Sequence, residues 1–259
     1  MKKIYLLLGL ILFNCSSDPT ETNETLPEPL VRNFNYFFMH APNNIMPSSN
    51  SLVILHFDSN NYLISRIGGF SPLAPATGFS YAFDTEIVFN FTYLDKEVVV
   101  ERVPDVQSPL NKKTTFIFND ENKLAQKIVE NPDPVMTFYT YNSFGKISNS
   151  IINLDLFSYS KSEYYYNTLK NIDSIVTKNY QFDTQLSKTV EVFSDYDTAE
   201  NPMKKLVFFE DTFYRTLSEN NYAKYEKFRY SFSGNLVEYN EKVWDLQYDE
   251  NGNIIFGEQ

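Results

Sequence analysis

Tyr141-Asn142-Ser143-Phe144-Gly145-Lys146-Ile147 and Tyr248-Asp249-Glu250-Asn251-Gly252-Asn253-Ile254 share one pattern. An aromatic is followed by Asn or Asp, then by Gly three residues on, then by Ile two further. Looser copies, with Ser at the second position or Asn or Lys for Gly, run from Phe57 to Leu63, Phe118 to Leu124, Tyr166 to Ile172 and Tyr230 to Leu236. A degenerate copy stands at Phe182-Asp183, with its downstream apolar residue out of register.

Each copy has a mechanical reading. The arriving arm alternates aromatics, as in Phe116/Phe118, Tyr139/Tyr141, Tyr164/Tyr166 and Phe228/Tyr230. The Asx or Ser side chain caps the turn through nearby backbone. Gly or Asn supplies the positive φ of a short hairpin loop. The leaving arm places apolar residues at alternate or near-alternate positions, as in Ile147/Ile151 and Ile172/Val176. Period-two alternation on both arms identifies a β-hairpin. The copies at 118, 141 and 166 are spaced for a meander of consecutive hairpins.

Composition agrees. Aromatics make up 17% of the chain, with 23 Phe and 19 Tyr against eight Gly, and such side chains suit pleated surfaces. The expected fold is all-β: an antiparallel meander of repeated β-hairpins forming one large twisted or curled sheet. Leu52–Phe57 with Ile64–Ile67, and Glu86–Tyr93 with Val98–Val103, read as two further strand pairs. Gly68-Gly69, Pro72, Pro75 and Gly78 mark a long loop between them, and Pro104 and Pro109 bracket another connection. Leu206, Phe209, Phe213 and Leu217 recur at three- and four-residue spacing behind Asn201-Pro202, which predicts one short helix near 202–218. The rival reading there is a strand, because Leu206-Val207-Phe208-Phe209 has strong β character.

The N-terminus carries an address. Met1-Lys2-Lys3 precedes an apolar run, Ile4 to Phe13, too short to cross a bilayer and followed by a polar segment. Cys15, the single cysteine, closes Leu12-Phe13-Asn14-Cys15, which looks like a lipobox. The expected division is a signal peptide at 1–14, a lipidated Cys15 with a disordered tether at 15–32, and one β-repeat domain at 33–259. Two or more acyl chains on Cys15 give the stable anchoring that one chain does not. The expected location is the outer membrane, surface-exposed or, alternatively, facing the periplasm.

Charge and residue types exclude several classes. Loss of residues 1–14 removes Lys2 and Lys3 and no acid, moving formal charge from −11 to −13. An acidic chain with no run of basic residues longer than Lys112-Lys113 or Lys204-Lys205 disfavours nucleic acid and anionic lipid alike. Once Cys15 is lipidated, no thiol remains for a disulfide, a thiolate metal site or a nucleophile.

The hairpin pattern resembles the YD-repeat (RHS-like) pattern, and Tyr248 to Ile254 matches its Y-D-x-x-G-x-[LI] form in full. Asp195-Tyr196-Asp197 through Asn201-Pro202, with Leu217-Ser218-Glu219-Asn220-Asn221, is similar to an interruption in small Bacteroidota lipoproteins of this type. Ser16-Ser17-Asp18 behind the cysteine resembles the acidic export signal of surface-exposed lipoproteins in that phylum. The resemblance implies location and fold and carries no activity.

Candidate chemistry is sparse. The two histidines, His40 and His56, lack H-x-H or H-x-x-x-H spacing, although a site with Asp58 is conceivable for zinc. No G-x-S-x-G elbow exists for serine hydrolysis. Asp249 to Asn253 superficially resembles a calcium loop but lacks the Glu at the twelfth position, and turn chemistry explains it. A carboxylate-pair glycoside hydrolase stays as a third alternative, since sequence spacing does not disclose the separation of two carboxyls. The expectation is therefore a non-enzyme with no metal or cofactor.

Aromatics supply the remaining candidates. In Tyr164-Tyr165-Tyr166, alternation turns Tyr165 to the face opposite its neighbours. Exposed Tyr165 with Trp244 would form a platform for a polysaccharide or a neighbouring envelope protein, against the competing reading of packed core rings. Ser65, Gln126, Asn149 and Ser174 recur along the leaving arms and mark a semi-wet face. A structural or assembly role through edge-strand pairing is the alternative to ligand binding.

Overall fold

The computed structural model describes residues 31–40, 44–48, 51–103, 113–130 and 133–256. The signal segment, Cys15 and the tether up to residue 30, together with the Pro104–Pro109 connection, lie outside the described residues.

The strands are β1 (Asn33–Asn35), β2 (Ile45–Met46), β3 (Leu52–Phe57), β4 (Leu63–Pro72), β5 (Tyr81–Tyr93), β6 (Glu97–Val103), β7 (Lys113–Phe118), β8 (Leu124–Glu130) and β9 (Val135–Tyr141). They continue with β10 (Ile147–Asn153), β11 (Ser158–Tyr166), β12 (Ile172–Gln181), β13 (Thr184–Tyr196), β14 (Tyr222–Ser231) and β15 (Leu236–Val243). All join one 15-stranded sheet, whose path runs β1-β3-β4 and then in chain order to β15, antiparallel at every step, with β2 alongside β5. A small separate hairpin, β16 (Gln247–Tyr248) and β17 (Ile254–Ile255), follows. The expected meander is what forms.

The repeat works as its residues suggest. Asn142 Oδ1 accepts the backbone N–H groups of Phe144 and Lys146, each at 3.0 Å, while Gly145 takes φ +76°. Asp58, Asn119, Asn167 and Asp249 accept two amides each in the same way. The degenerate copy is a two-residue turn instead: Phe182 and Asp183 both have positive φ, which shortens the loop and displaces the register. The repeat's aromatic has a second duty. Tyr141 Oη donates to Leu124 O at 2.7 Å and Tyr166 Oη to Ile147 O at 2.9 Å, each reaching the leaving residue of the previous repeat. Tyr93 bonds Leu63 O at 3.0 Å, and Tyr196 bonds Ile172 O. A ladder of phenols thus ties successive hairpins together at one end of the sheet.

One expected loop is strand. β4 runs through Gly68-Gly69 to Pro72, leaving a connection of only residues 73–80. A β-bulge shifts the register between Ile67 and Gly69, and Gly68 takes φ +101° with the Phe83 ring where a Cβ would sit, 2.8 Å away. Glycine here admits a close ring rather than breaking the strand.

Consecutive hairpins give the sheet two ends. The capped turns at 58–62, 119–123, 142–146 and 167–171 share one end with the long insertion between β13 and β14. The turns at 154–157, 182–183 and 232–235 share the other. The insertion folds inward as 3-10 turns Pro202–Lys205 and Tyr214–Leu217 around a short helix, α1 (Glu210–Phe213). Asn201 caps it as expected, accepting Met203 N–H at 3.0 Å. The helix is nevertheless broken at Leu206–Phe209, because those side chains serve several strands at once. Phe208 packs edge-on to Phe91, Tyr93, Phe116 and Phe118, while Phe209 meets Phe89 and Phe91. A single straight helix presents only one stripe and could not reach them all.

The neck of the insertion is a buried polar clasp. Asn201 Nδ2 donates to Arg215 O at 2.6 Å and Ser218 O at 3.0 Å, Asn171 and Asn220 bond each other, and Asn221 pairs with Asp197. With the insertion inside, the sheet curls until its edges approach. Residues 36–40 cross the seam: Trp244 Nε1 donates to Phe37 O at 2.5 Å and Lys242 Nζ to Met39 O at 3.0 Å.

Candidate functional site

Along the central strands, inward residues change character from one end to the other. Near the capped turns they are Phe118 and Phe116 on β7, Tyr141 and Tyr139 on β9, Tyr166 and Tyr164 on β11, and Phe193 on β13. Towards the opposite end the same faces carry Thr114, Thr137, Ser162 and Ser160, and Thr189. Ser150 on β10 and Thr177 and Asn179 on β12 continue this polar band. The aromatic half packs on the insertion. The hydroxyl half does not, and encloses a cavity of about 850 Å³. Its floor is Phe208, Phe209, Phe213 and Tyr214 of the insertion.

The wall hydroxyls are ordered by one another across strands. Ser160 Oγ donates to Asn179 Oδ1 at 2.6 Å, and Asn179 Nδ2 donates to Ser187 Oγ at 2.9 Å. Ser162 and Thr177 bond at 2.8 Å, Ser150 and Tyr164 at 3.0 Å. A hydroxyl offers one donor and two acceptor positions, so these pairs keep capacity for a ligand.

Charge enters at fixed points. Glu191 on β13 accepts from Tyr225 Oη at 2.6 Å and Tyr214 Oη at 3.0 Å. Burial raises its carboxyl above the usual range, against the pull of the two phenols and Lys227. Arg66, buried on β4, donates to both carboxylate oxygens of Asp211 at 3.0 and 2.7 Å and lies 4.3 Å from the Phe209 ring centroid. This pair locks α1 to the sheet. Lys127 meets Glu210 at 2.5 Å at the rim. His40 bonds the Tyr222 hydroxyl among the rings of Phe193, Tyr214, Tyr225 and Trp244. Burial, then Arg215 and Lys242, hold its imidazole well below its ordinary pKa, so it is neutral.

The expected aromatic platform is not assembled. Tyr165 does face outward, 46% exposed, with its hydroxyl on Glu163 at 2.5 Å. Trp244 is buried at 7% exposure, stacked against the Arg215 guanidinium at 4.4 Å, which lies 4.3 Å from Tyr222 on another side. The indole is needed to cover a buried cation, and Arg215 is far from it in sequence. His56 is exposed on β3, on the face opposite the enclosed His40, and no group of three His, Cys, Asp or Glu suited to a metal occurs among the described residues. Gln126, Asn149 and Ser174 lie on the outer surface, opposite Ile117, Glu163 and Tyr165. The wet inner band is made of other residues, legible only by pairing the alternation with strand direction.

No family model matches the chain, and no curated protein matches it. Its fold is similar to that of a solved porin-like protein from Bacteroides vulgatus ATCC 8482, with TM-score 0.51 over 82% of this chain and 90% of that one, at 10% identity. At that identity the likeness concerns architecture alone. The two faces of this sheet set out their own chemistry. Its outer surface carries Glu97, Glu101, Lys113, Glu130, Lys161, Glu163, Lys178 and Lys188, and β6–β10 are six or seven residues long. Strands that span lipid need about 9–11 residues and an apolar outer band; β4, β5 and β11–β14 have 9 to 13 residues, and the charged side chains interrupt such a band.

Proposed function

We propose that this chain is a non-enzymatic binding module of the cell envelope, tethered by lipid on Cys15, that takes an oligosaccharide segment in the hydroxyl-lined cavity. The observation that carries the reading is the cavity's construction. Hydroxyl and amide side chains from β7 and β9 to β13 line the wall, and phenyl and phenol rings make the floor. Sugars present just this pair of surfaces, a periphery of hydroxyls and apolar C–H faces that stack on aromatic rings. The lipobox supports a location at the outer membrane, on either leaflet, and the capped hairpins support kinship with YD-repeat lipoproteins.

Residues 20–259 contain the whole sheet, which begins at Asn33. Native affinity gels of this segment against a polysaccharide panel test the reading. Retardation by one glycan class, abolished by Ser162→Leu or Thr177→Leu, supports it. Absence of retardation across the panel, or retardation that survives both cavity-filling substitutions, overturns it.

A further inference from the structure

Leu156, Phe182 and Phe232 occupy the tips of the β10–β11, β12–β13 and β14–β15 turns, successive turns at the cavity end of the sheet, and are 93%, 67% and 78% exposed. Phe157 stands beside Phe182, their ring centroids 4.8 Å apart. Part of each tip's backbone is already bonded. Asp155 Oδ1 accepts Phe157 and Ser158 N–H groups, both at 2.7 Å, Phe182 N–H bonds Phe157 O at 2.9 Å, and Gly234 N–H bonds Ser231 O at 3.0 Å. These bonded amides enter a low-dielectric medium without losing their partners.

A few residues in from the tips, strand register aligns three cations on the outer face. Lys161 lies opposite Lys178, and Lys178 opposite Lys188. Like charges directly opposite destabilise a sheet. Their only ion pair among the described residues is the 4.0 Å approach of Glu163 to Lys178. Asp155 and Asp183, the acids at the tips, are engaged with turn amides and the Tyr159 hydroxyl. Between tips and lysines sit Tyr159 and Tyr180, stacked at 4.9 Å with Lys161 Nζ 5.1 and 5.7 Å from their centroids, while Lys188 lies 4.8 Å from the Tyr230 ring. Apolar tips, then phenols, then ammonium groups reproduce the depth order of a bilayer surface: hydrocarbon, interfacial aromatics, phosphates.

We propose that this end docks on an anionic bilayer surface, with the three tips entering the headgroup region and the Lys161–Lys178–Lys188 row meeting lipid phosphates. The occupant is lipid rather than a protein groove because the apolar side chains stand on separate protruding tips, which a yielding surface accommodates. The inference is independent of the glycan reading, since it concerns the outer face and the turns.

Sedimentation of residues 20–259, which lack the acylated cysteine, with phosphatidylcholine vesicles containing or lacking phosphatidylglycerol tests it. The expected result is salt-sensitive binding to the phosphatidylglycerol vesicles alone. At roughly a fivefold factor for each lysine near the surface, the triple Lys161→Gln, Lys178→Gln, Lys188→Gln variant loses on the order of a hundredfold in partitioning. The Leu156→Ser, Phe182→Ser, Phe232→Ser variant loses binding too, with Trp244 emission reporting an intact fold in both. Three results would overturn the proposal: no binding by the parent, undiminished binding by either variant, or self-association relieved by the tip variant in the absence of vesicle binding.

Discussion

The two ends of the curled sheet are closed by different turns and do different things. At the capped end, inward aromatics meet the insertion, phenols bond neighbouring carbonyls, and the clasp of Asn201, Ser218 and Asn221 is buried. At the cavity end, the same inward positions hold Ser and Thr, and no insertion fills the space. A strand's inner face is thus divided between stability and binding by where along its length the aromatics stop. The capped end should carry the folding energy, the other end the recognition.

Substitutions at the two ends therefore separate stability from binding. Trp244→Ala creates a cavity and uncovers the Arg215 cation, and is expected to cost about 4 kcal/mol in urea unfolding. Asp211→Ala leaves the buried Arg66 guanidinium without its carboxylate, an expected loss of about 3 kcal/mol, largely recovered when Arg66→Met is added. Tyr166→Phe removes one rung of the phenol ladder for about 1 kcal/mol. If Ser162→Leu at the cavity proved as destabilising as Trp244→Ala, the division between the ends would fail.

The two ends also carry opposite pH signatures. Glu219, at the neck, is desolvated, yet the hydrogen bonds and charges of Lys146 and Lys204 outweigh that and pull its pKa down to about 2. Its stabilisation is present above the unfolded carboxylate pKa and is lost as pH falls from about 4.5 towards about 2. Glu191, on the cavity wall, is raised by burial. Here the folded protein holds the proton more tightly than the unfolded chain, so its contribution is greatest in acid and declines as pH rises through the raised pKa. Stability measured across pH should show Glu219→Gln flattening the acid limb and Glu191→Gln flattening the decline above it. The smallest effect belongs to Tyr165→Ala, expected within about 0.5 kcal/mol and without change in glycan retardation, because its ring stands on the outer face.

What the sequence disclosed follows the range of the interactions. The turns were legible because Asn142 and Gly145 act within five residues, and their chemistry fixes the hairpin locally. The insertion was half legible: Asn201 and Pro202 announce a helical start, but the break at Leu206–Phe209 answers to rings on β5 and β7. The place of Trp244 is not legible, because Arg215, which it covers, reaches it only through the fold. The cavity band and the lysine row were illegible for the same reason. Lys161, Lys178 and Lys188 become neighbours by register alone, within a chain of formal charge −11 that gives no hint of a basic surface.

Backbone hydrogen exchange of residues 20–259, with and without the most strongly retarding glycan, tests the division most directly. The account predicts that amides around Ile147, Ile172 and Tyr222 exchange slowly in both conditions, while those around Ser160, Thr177 and Thr189 slow when the glycan is added. Slowing confined to the capped end or to the outer face around Tyr165, with the cavity strands unchanged, would contradict it.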